Sequence, residues 1–358
     1  MGHDQAAAEL RRGLNVPGLP VSSFAWFLLP LASSLAGTWL ALGYARRRGL
    51  LDQPGERRSH AVATPRGGGI SIAVVLLATI LVVGYRYPEL RLVLQAGGVG
   101  LVLVAAVGWI DDHRPLSARA RLVAHALSAA LLAAALLLSG HGALAAGIAF
   151  AAVLVLVNVW NFMDGIDGLA TSQAAIAGLG YALAAGPGAP AWLGLALAGA
   201  CCGFLPFNFP RARIFLGDVG SGALGQGLAL AGVLVMVAPA GAAGPSLWPL
   251  LVLPLAAFLV DASLTLGRRV LRREAWWQPH VQHAYQVWSR RLGRHAPVTL
   301  AYAGWSAAGV TLMIGMTFAD CAFIIVMLAA CGWCLASGLA WIVLQLASWN
   351  SKGQAQGQ

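Results

Sequence analysis

Five carboxylates sit where long apolar runs end. Asp111 and Asp112 are adjacent in Gly108-Trp-Ile-Asp111-Asp112-His-Arg. Asp164 and Asp167 form two Asp-Gly steps in Asn158-Val-Trp-Asn161-Phe-Met-Asp164-Gly-Ile-Asp167-Gly, and Asp218 follows Phe215-Leu-Gly217. Adjacent carboxylates repel, so the first pair persists best beside a cation or with one proton shared; the alternative is a solvated pair capping the next helix. Asn158, Asn161, Asp164 and Asp167 are close enough to surround a polar ligand, against the alternative of an ordinary turn with an N-cap. Asp218 is predicted at a helix start, where free N–H groups and the helix dipole favour phosphate. A carboxylate there can share Mg²⁺ with a pyrophosphate, because Mg²⁺ takes one or two carboxylates and leaves its other positions to phosphate and water.

Two polar stretches supply cations and imidazoles. The first holds Arg57, Arg58, His60 and Arg66, ahead of Gly67-Gly68-Gly69. The second holds Arg268, Arg269, Arg272 and Arg273, then Trp276-Trp277 and Pro279-His280-Val-Gln-His283-Ala-Tyr285-Gln286. His280, His283 and Gln286 follow i, i+3, i+6 spacing, which predicts one helical side suited to phosphate. As a metal pair the two histidines lack a third ligand at suitable spacing. Asp261, inside an apolar run, is a functional candidate by default, with a pairing to Arg119 or Arg268 as the structural alternative. His125 and His141 read as structural, and the five cysteines, all in apolar runs, as inert packing.

These residues need a scaffold, and composition names its solvent. Of 358 residues 59% are hydrophobic and only 10% charged, too little polar surface to coat a soluble globule. Crossing a bilayer takes about 20 apolar residues as a helix, the form that satisfies its own backbone. Eleven spans are predicted, near 22–44, 67–84, 92–110, 120–138, 143–160, 168–185, 191–207, 219–240, 247–267, 297–317 and 321–347. The expected fold is therefore an all-α polytopic membrane protein. It comprises a short segment 1–21, a single catalytic unit 22–347 and a disordered tail 348–358. If the first span exits into the cytosol, 19 of 23 Lys and Arg lie on that side, leaving Arg11, Arg12, Arg86 and Arg91 opposite. The positive-inside rule then puts all five carboxylates at cytosolic helix ends, with the N-terminus periplasmic and the C-terminus cytosolic. The same rule accounts for the net charge of +10 without nucleic acid, since the arginines punctuate apolar runs and form no continuous stripe. No internal repeat is evident. Acids at one face, away from the midplane, argue against a coupled transporter.

From about Leu51 to Gln286 these motifs, in this order, resemble the polyprenyl-phosphate N-acetylhexosamine-1-phosphate transferases of glycosyltransferase family 4. The resemblance implies a bacterial inner-membrane enzyme in which a polyprenyl phosphate, such as undecaprenyl phosphate, attacks a UDP-N-acetylhexosamine and displaces UMP. It implies Mg²⁺, with Mn²⁺ as a substitute, and a homodimer as some relatives form. By motif, Asp111 is expected as the base that readies the lipid phosphate, Asp112 as its assistant or a metal contact, and Asp218 as the principal Mg²⁺ ligand. Asn158, Asn161, Asp164, Asp167, Asn208 and Phe215 are expected in the nucleotide pocket, with Phe215 stacking on uracil. Arg57, Arg58, His60, Arg121, His280 and His283 are expected on phosphate or sugar. His280-x-x-His283-x-Tyr285-Gln286 replaces the consecutive histidines of the peptidoglycan-precursor branch. Thr64-Pro65-Arg66-Gly67-Gly68 is as in initiators of O-antigen and related surface glycans, which favours a UDP-HexNAc or a 6-deoxy derivative (UDP-FucNAc, UDP-QuiNAc) as donor. The CDP-alcohol phosphotransferase signature, Asp-Gly-x-x-Ala-Arg, is absent from both Asp-Gly steps.

Overall fold

The computed structural model describes residues 23–53, 62–238, 248–275, 278, 280–319 and 321–355, with side chains described up to Leu346. Each predicted apolar run is a helix. In chain order these are α1 Ser23–Arg48, α2 Ile70–Arg86, α3 Arg91–His113, α4 Ala118–Leu138, α5 Gly142–Phe162, α6 Leu169–Ala185, α7 Ala189–Asn208, α8 Gly217–Val237 and α9 Ala256–Leu271, followed by the short α10 Ala284–Leu292, then α11 Ala296–Phe318 and α12 Phe323–Ala355. Nine of these spans, α9 counted with the 3-10 turns Trp248–Leu255 ahead of it, are long and apolar enough to cross a membrane among the described residues. The helices Ile70–Arg86 and Leu169–Ala185 are apolar but shorter.

Burial separates centre from periphery. The apolar windows of α8 and α7 are 89% and 83% buried, whereas those of α1 and α12 are 22% and 17%. A helix apolar on every side is either enclosed by protein or turned toward lipid, and this bundle contains both kinds. Close approach in the centre relies on small residues. Gly199 and Gly203, one turn apart on α7, lie against α1 so tightly that a Cβ would sit 2.2 Å from the Phe27 carbonyl oxygen and 2.3 Å from that of Leu31.

Three departures from the expected elements have local causes. Leu51–Asp52 and Thr64–Pro65 form a two-residue antiparallel ladder in an otherwise helical protein. It brackets residues 54–61, so Arg57, Arg58 and His60 lie outside the described residues. The ninth span runs on to Leu271, which places Arg268 and Arg269 in its last turn rather than in a loop. There the Arg269 guanidinium is buried and paired with Glu274 at 2.7 Å, and Arg268 lies over the Trp341 ring at 5.4 Å. Finally, α12 continues to Ala355, past the predicted end of the last span at 347. Once a helix is nucleated, each further residue costs little.

Candidate active site

The C-terminal ends of α3 and α5 and the N-terminal ends of α4 and α8 meet at one end of the bundle, joined by the segment between α9 and α10. Between them lies a cavity of about 990 Å³, walled by Arg119, Arg121, Asn158, Asn161, Phe162, Asp164, Asp218, His280, His283 and Tyr285 among others. Residues from positions 104 to 286 thus share one wall.

Asp112 is the keystone of this junction rather than a group on its surface. Its carboxylate accepts the first amides of α8, Asp218 N–H to Oδ1 at 3.1 Å and Val219 N–H to Oδ2 at 3.2 Å. Its carbonyl accepts from Arg66, and the residue is buried. A carboxylate at a helix start satisfies two orphan donors and complements the dipole. Both oxygens are therefore engaged, and Asp112 is absent from the cavity wall. Asp111 also stands off the wall: its Oδ1 accepts the Leu116 amide at 2.5 Å and its Oδ2 meets Arg121 at 3.4 Å. Ser117, capping α4 by accepting the Ala120 amide, sets the turn that carries Arg121.

Arg121 then reaches Asp218 Oδ2 at 2.9 Å, so one guanidinium bridges two carboxylates at the cavity edge. Asn161 is hydrogen-bonded to Ser221 of α8 at 3.3 Å, and Asn158 faces His125 at 3.3 Å. Asp164 borders the same space from the α5–α6 turn. Protein crowds its carboxyl, and this desolvation, followed by the charges of Asp218, Asp112 and Asp167, pushes its pKa up to about 8. His280 moves the other way. Burial first, then His283 and Arg269, lowers it to about 4, so it is a neutral hydrogen-bonding group at pH 7 and no standing cation. His280 and His283 lie side by side, ring centroids 4.9 Å apart. They do not share a helical face as their spacing predicted, because His283 is the N-cap of α10 and His280 precedes it in a loop.

The other expected pocket residues are elsewhere. Asn208 is buried, its Oδ1 accepting the Gly168 amide at 2.9 Å and its Nδ2 donating to the Ile214 carbonyl at 3.0 Å. It braces two loops from behind the cavity. Asn208→Ala is accordingly expected to cost about 1–3 kcal/mol, the penalty for orphaned buried backbone groups, with donor KM within a few-fold of wild type. Thermal melting in detergent together with KM checks this, and a large KM rise without lost stability would return Asn208 to the pocket. Asp167 pairs with His295 at 3.2 Å, and its carbonyl accepts from Thr299 at 2.8 Å, which ties the turn to α11. Phe215 is absent from the wall; its backbone pairs with Pro65 at 2.8 Å and Gly68 at 3.0 Å. The aromatic surface of the cavity is instead that of Phe162 and Tyr285. Phe162 sits inside the Asn161-to-Asp164 motif, and that adjacency was the available signal for it. Arg119, read from sequence as a topogenic charge or a partner for Asp261, also lines the wall.

No group of three or more His, Cys, Asp or Glu side chains among the described residues is arranged to hold a metal alone. The carboxylates of Asp164 and Asp218 nevertheless face one cavity, where desolvation first and the neighbouring carboxylates second raise the pKa of Asp164. Two oxygen donors with open positions fit a Mg²⁺ completed by substrate phosphate.

The profile of glycosyl transferase family 4 matches residues 94–237, the stretch that carries Asp111, Asp164 and Asp218. The chain is 27% identical over 329 residues to a decaprenyl-phosphate N-acetylglucosaminephosphotransferase of Mycobacterium leprae, covering 79% of this chain and 78% of the relative. It is 31% identical over 299 residues to a phospho-N-acetylmuramoyl-pentapeptide-transferase of Desulforudis audaxviator, covering 72% and 81%. It is 27% identical over 275 residues to a probable undecaprenyl-phosphate N-acetylglucosaminyl 1-phosphate transferase of Bacillus subtilis, covering 72% and 75%. With nine helices among the described residues able to cross a membrane and relatives matched over most of their length, the chain is a multi-span membrane protein that belongs to glycosyl transferase family 4.

Proposed function

We propose that this protein transfers an N-acetylhexosamine 1-phosphate from a UDP-sugar to a polyprenyl phosphate such as undecaprenyl phosphate, releasing UMP, at the cytosolic face of a bacterial inner membrane. The observation that carries the reading is one cavity at the helix ends, walled by two carboxylates, two arginines, three histidines and two asparagines. Both substrates are anionic, and a site at the membrane boundary is reachable by a lipid from the bilayer and by a nucleotide from water. In this reading Arg121 swings from its carboxylates onto the transferring phosphoryl, where a positioned cation acts most strongly. Asp111 holds Arg121 in readiness. Asn158 and Asn161 orient the nucleotide with Phe162 against its base, and His280 and His283 donate hydrogen bonds to phosphate or sugar. Mg²⁺ held by Asp218 and Asp164 would offset diphosphate charge.

The donor branch is open to a specific test, because relatives of both kinds match. A surface-glycan role with UDP-HexNAc or a 6-deoxy derivative follows from the Thr64-to-Gly68 loop and the spaced histidines. Similarity to the muramoyl-pentapeptide transferases supports UDP-MurNAc-pentapeptide as the second reading. Purified protein, undecaprenyl phosphate, Mg²⁺ and a panel of UDP-sugars decide it: lipid-dependent UMP release identifies the donor, and background release with every donor would end the transferase reading.

Metal dependence should carry the signature of Asp164. With a pKa of about 8 in the metal-free site, this carboxyl is protonated below that pH, and metal must displace its proton. The apparent Mg²⁺ affinity is expected to rise by at least about tenfold per pH unit up to about pH 8, more steeply where Asp218 must also lose a proton, and then level. A Mg²⁺ activation constant flat from about pH 6 to about pH 9 would exclude Asp164 as a ligand.

A further inference from the structure

Asp261 is buried in α9, outside the cavity wall described above, and neither Arg119 nor Arg268 pairs with its carboxylate. Instead it gathers donors from four elements. Its Oδ1 accepts the Ala284 amide at 2.8 Å, Thr265 Oγ1 at 3.1 Å and Trp341 Nε1 at 3.2 Å. Its Oδ2 accepts Tyr302 Oη at 2.9 Å and the Tyr285 amide at 3.2 Å. The His283 ring stands next to it, Nδ1 at 3.6 Å from Oδ1. Burying a carboxylate is expensive unless its oxygens are fully engaged, and here the engaged donors include the first two amides of α10.

Those amides lead directly to the cavity. His283, immediately before them, lines the wall with its ring 4.9 Å from His280 and 6.3 Å from Phe162. Tyr285, which carries the second of them, donates its hydroxyl to the Phe162 carbonyl at 3.0 Å, at the head of the turn that carries Asp164. One carboxylate in α9 therefore sets the start of α10, and α10 in turn holds both the histidine wall and the carboxylate turn.

We propose that Asp261 is a positioning residue for phosphoryl transfer, acting through the start of α10 to place His283 and, through Tyr285, the Asp164 turn. The catalytic part of this inference rests on the proposed transferase function; the anchoring part does not. Asn at this position keeps the shape but presents a donor where an N–H or O–H now donates, so α10 loses one side of its anchor.

The test is a double-mutant cycle with Asp261→Asn and His283→Ala, read by kcat and KM for UMP release, by melting temperature, and by hydrogen exchange of the amides of residues 284 and 285. Asp261→Asn is expected to lower kcat about 10- to 100-fold, the usual range for a residue that orients a working group, and to speed exchange at both amides. In Asp261→Asn/His283→Ala the loss should stay within about threefold of that in His283→Ala, since the two act through one path. Tyr302→Phe, which removes one hydrogen bond, is the milder variant if Asp261→Asn misfolds, and it should show the same non-additivity with a loss of several-fold. Losses that multiply, or a wild-type kcat with only a lowered melting temperature, would overturn the positioning role. Wild-type protein that releases no UMP from any donor would defeat the transferase reading instead. Exchange at residues 284 and 285 would then judge the anchor, unchanged exchange overturning it.

Discussion

Asp218→Asn is expected to lower kcat for UMP release by about 10³-fold while leaving thermal stability unchanged or raised. The loss follows from its place: Asp218 faces the cavity in the first turn of α8, 2.9 Å from Arg121, and one preorganised charge at a reacting phosphate is worth about 10²- to 10³-fold. As a proposed metal ligand it stands at the upper end of that range. The stability gain follows from its neighbours. Asp111 and Asp112 crowd the same junction, so replacing one charge by an isosteric amide relieves repulsion among groups already short of water. The Asp112 cap on α8 uses the backbone amide of residue 218, which asparagine retains. Kinetics and melting of the variant in one detergent provide the check. A kcat within tenfold of wild type would remove Asp218 from the reaction, and a melting temperature several degrees lower would make it a structural residue.

Gly108→Ala should damage the site from behind. A Cβ on Gly108 would lie 2.4 Å from the carbonyl oxygen of Asp218 and 2.5 Å from the amide nitrogen of Val219. Both are backbone atoms, so no side chain can rotate away, and α3 must separate from α8. Overpacking of this kind costs about 1–3 kcal/mol. The separation also stretches the bonds from Asp112 to the amides of 218 and 219, now 3.1 and 3.2 Å. Misplacement by about 1 Å can cost about 10²-fold in rate, so activity is expected to fall by about that factor. Gly147→Ala in α5 is the matched control, since a Cβ there meets nothing within 4 Å, and it should be neutral or stabilising by up to about 1 kcal/mol. If both variants behaved alike, the α3–α8 contact would have no special role.

Much of the scaffold was legible beforehand. The apolar runs became helices because a chain this poor in charge must satisfy its backbone locally, and the runs alone report that. The gathering of Asp111, Asp164 and Asp218 at one end followed from counting spans, since each crossing reverses direction. Partnership was not legible. Asp112 and Asp218 are 106 positions apart, and only the packing of α3 on α8 makes one the cap of the other. Asn208 and Phe215 carry the right chemistry for a pocket, but the fold spends the Asn208 amide and the Phe215 backbone on loop bracing. The i, i+3, i+6 pattern of His280, His283 and Gln286 looked helical, yet the helix begins only at Ala284 because Asp261 takes its first amides.

Sequence alone determined the solvent of this protein, the course of its apolar spans and the chemical class of groups at their ends. Hydropathy and charge act within a span of about 20 residues, so they can be read from the order of residues. Tertiary structure decided which carboxylate caps a helix, which anchors a loop and which faces the cavity. Those duties depend on donors brought within about 3 Å by packing between distant helices, and nothing local in the chain encodes that distance.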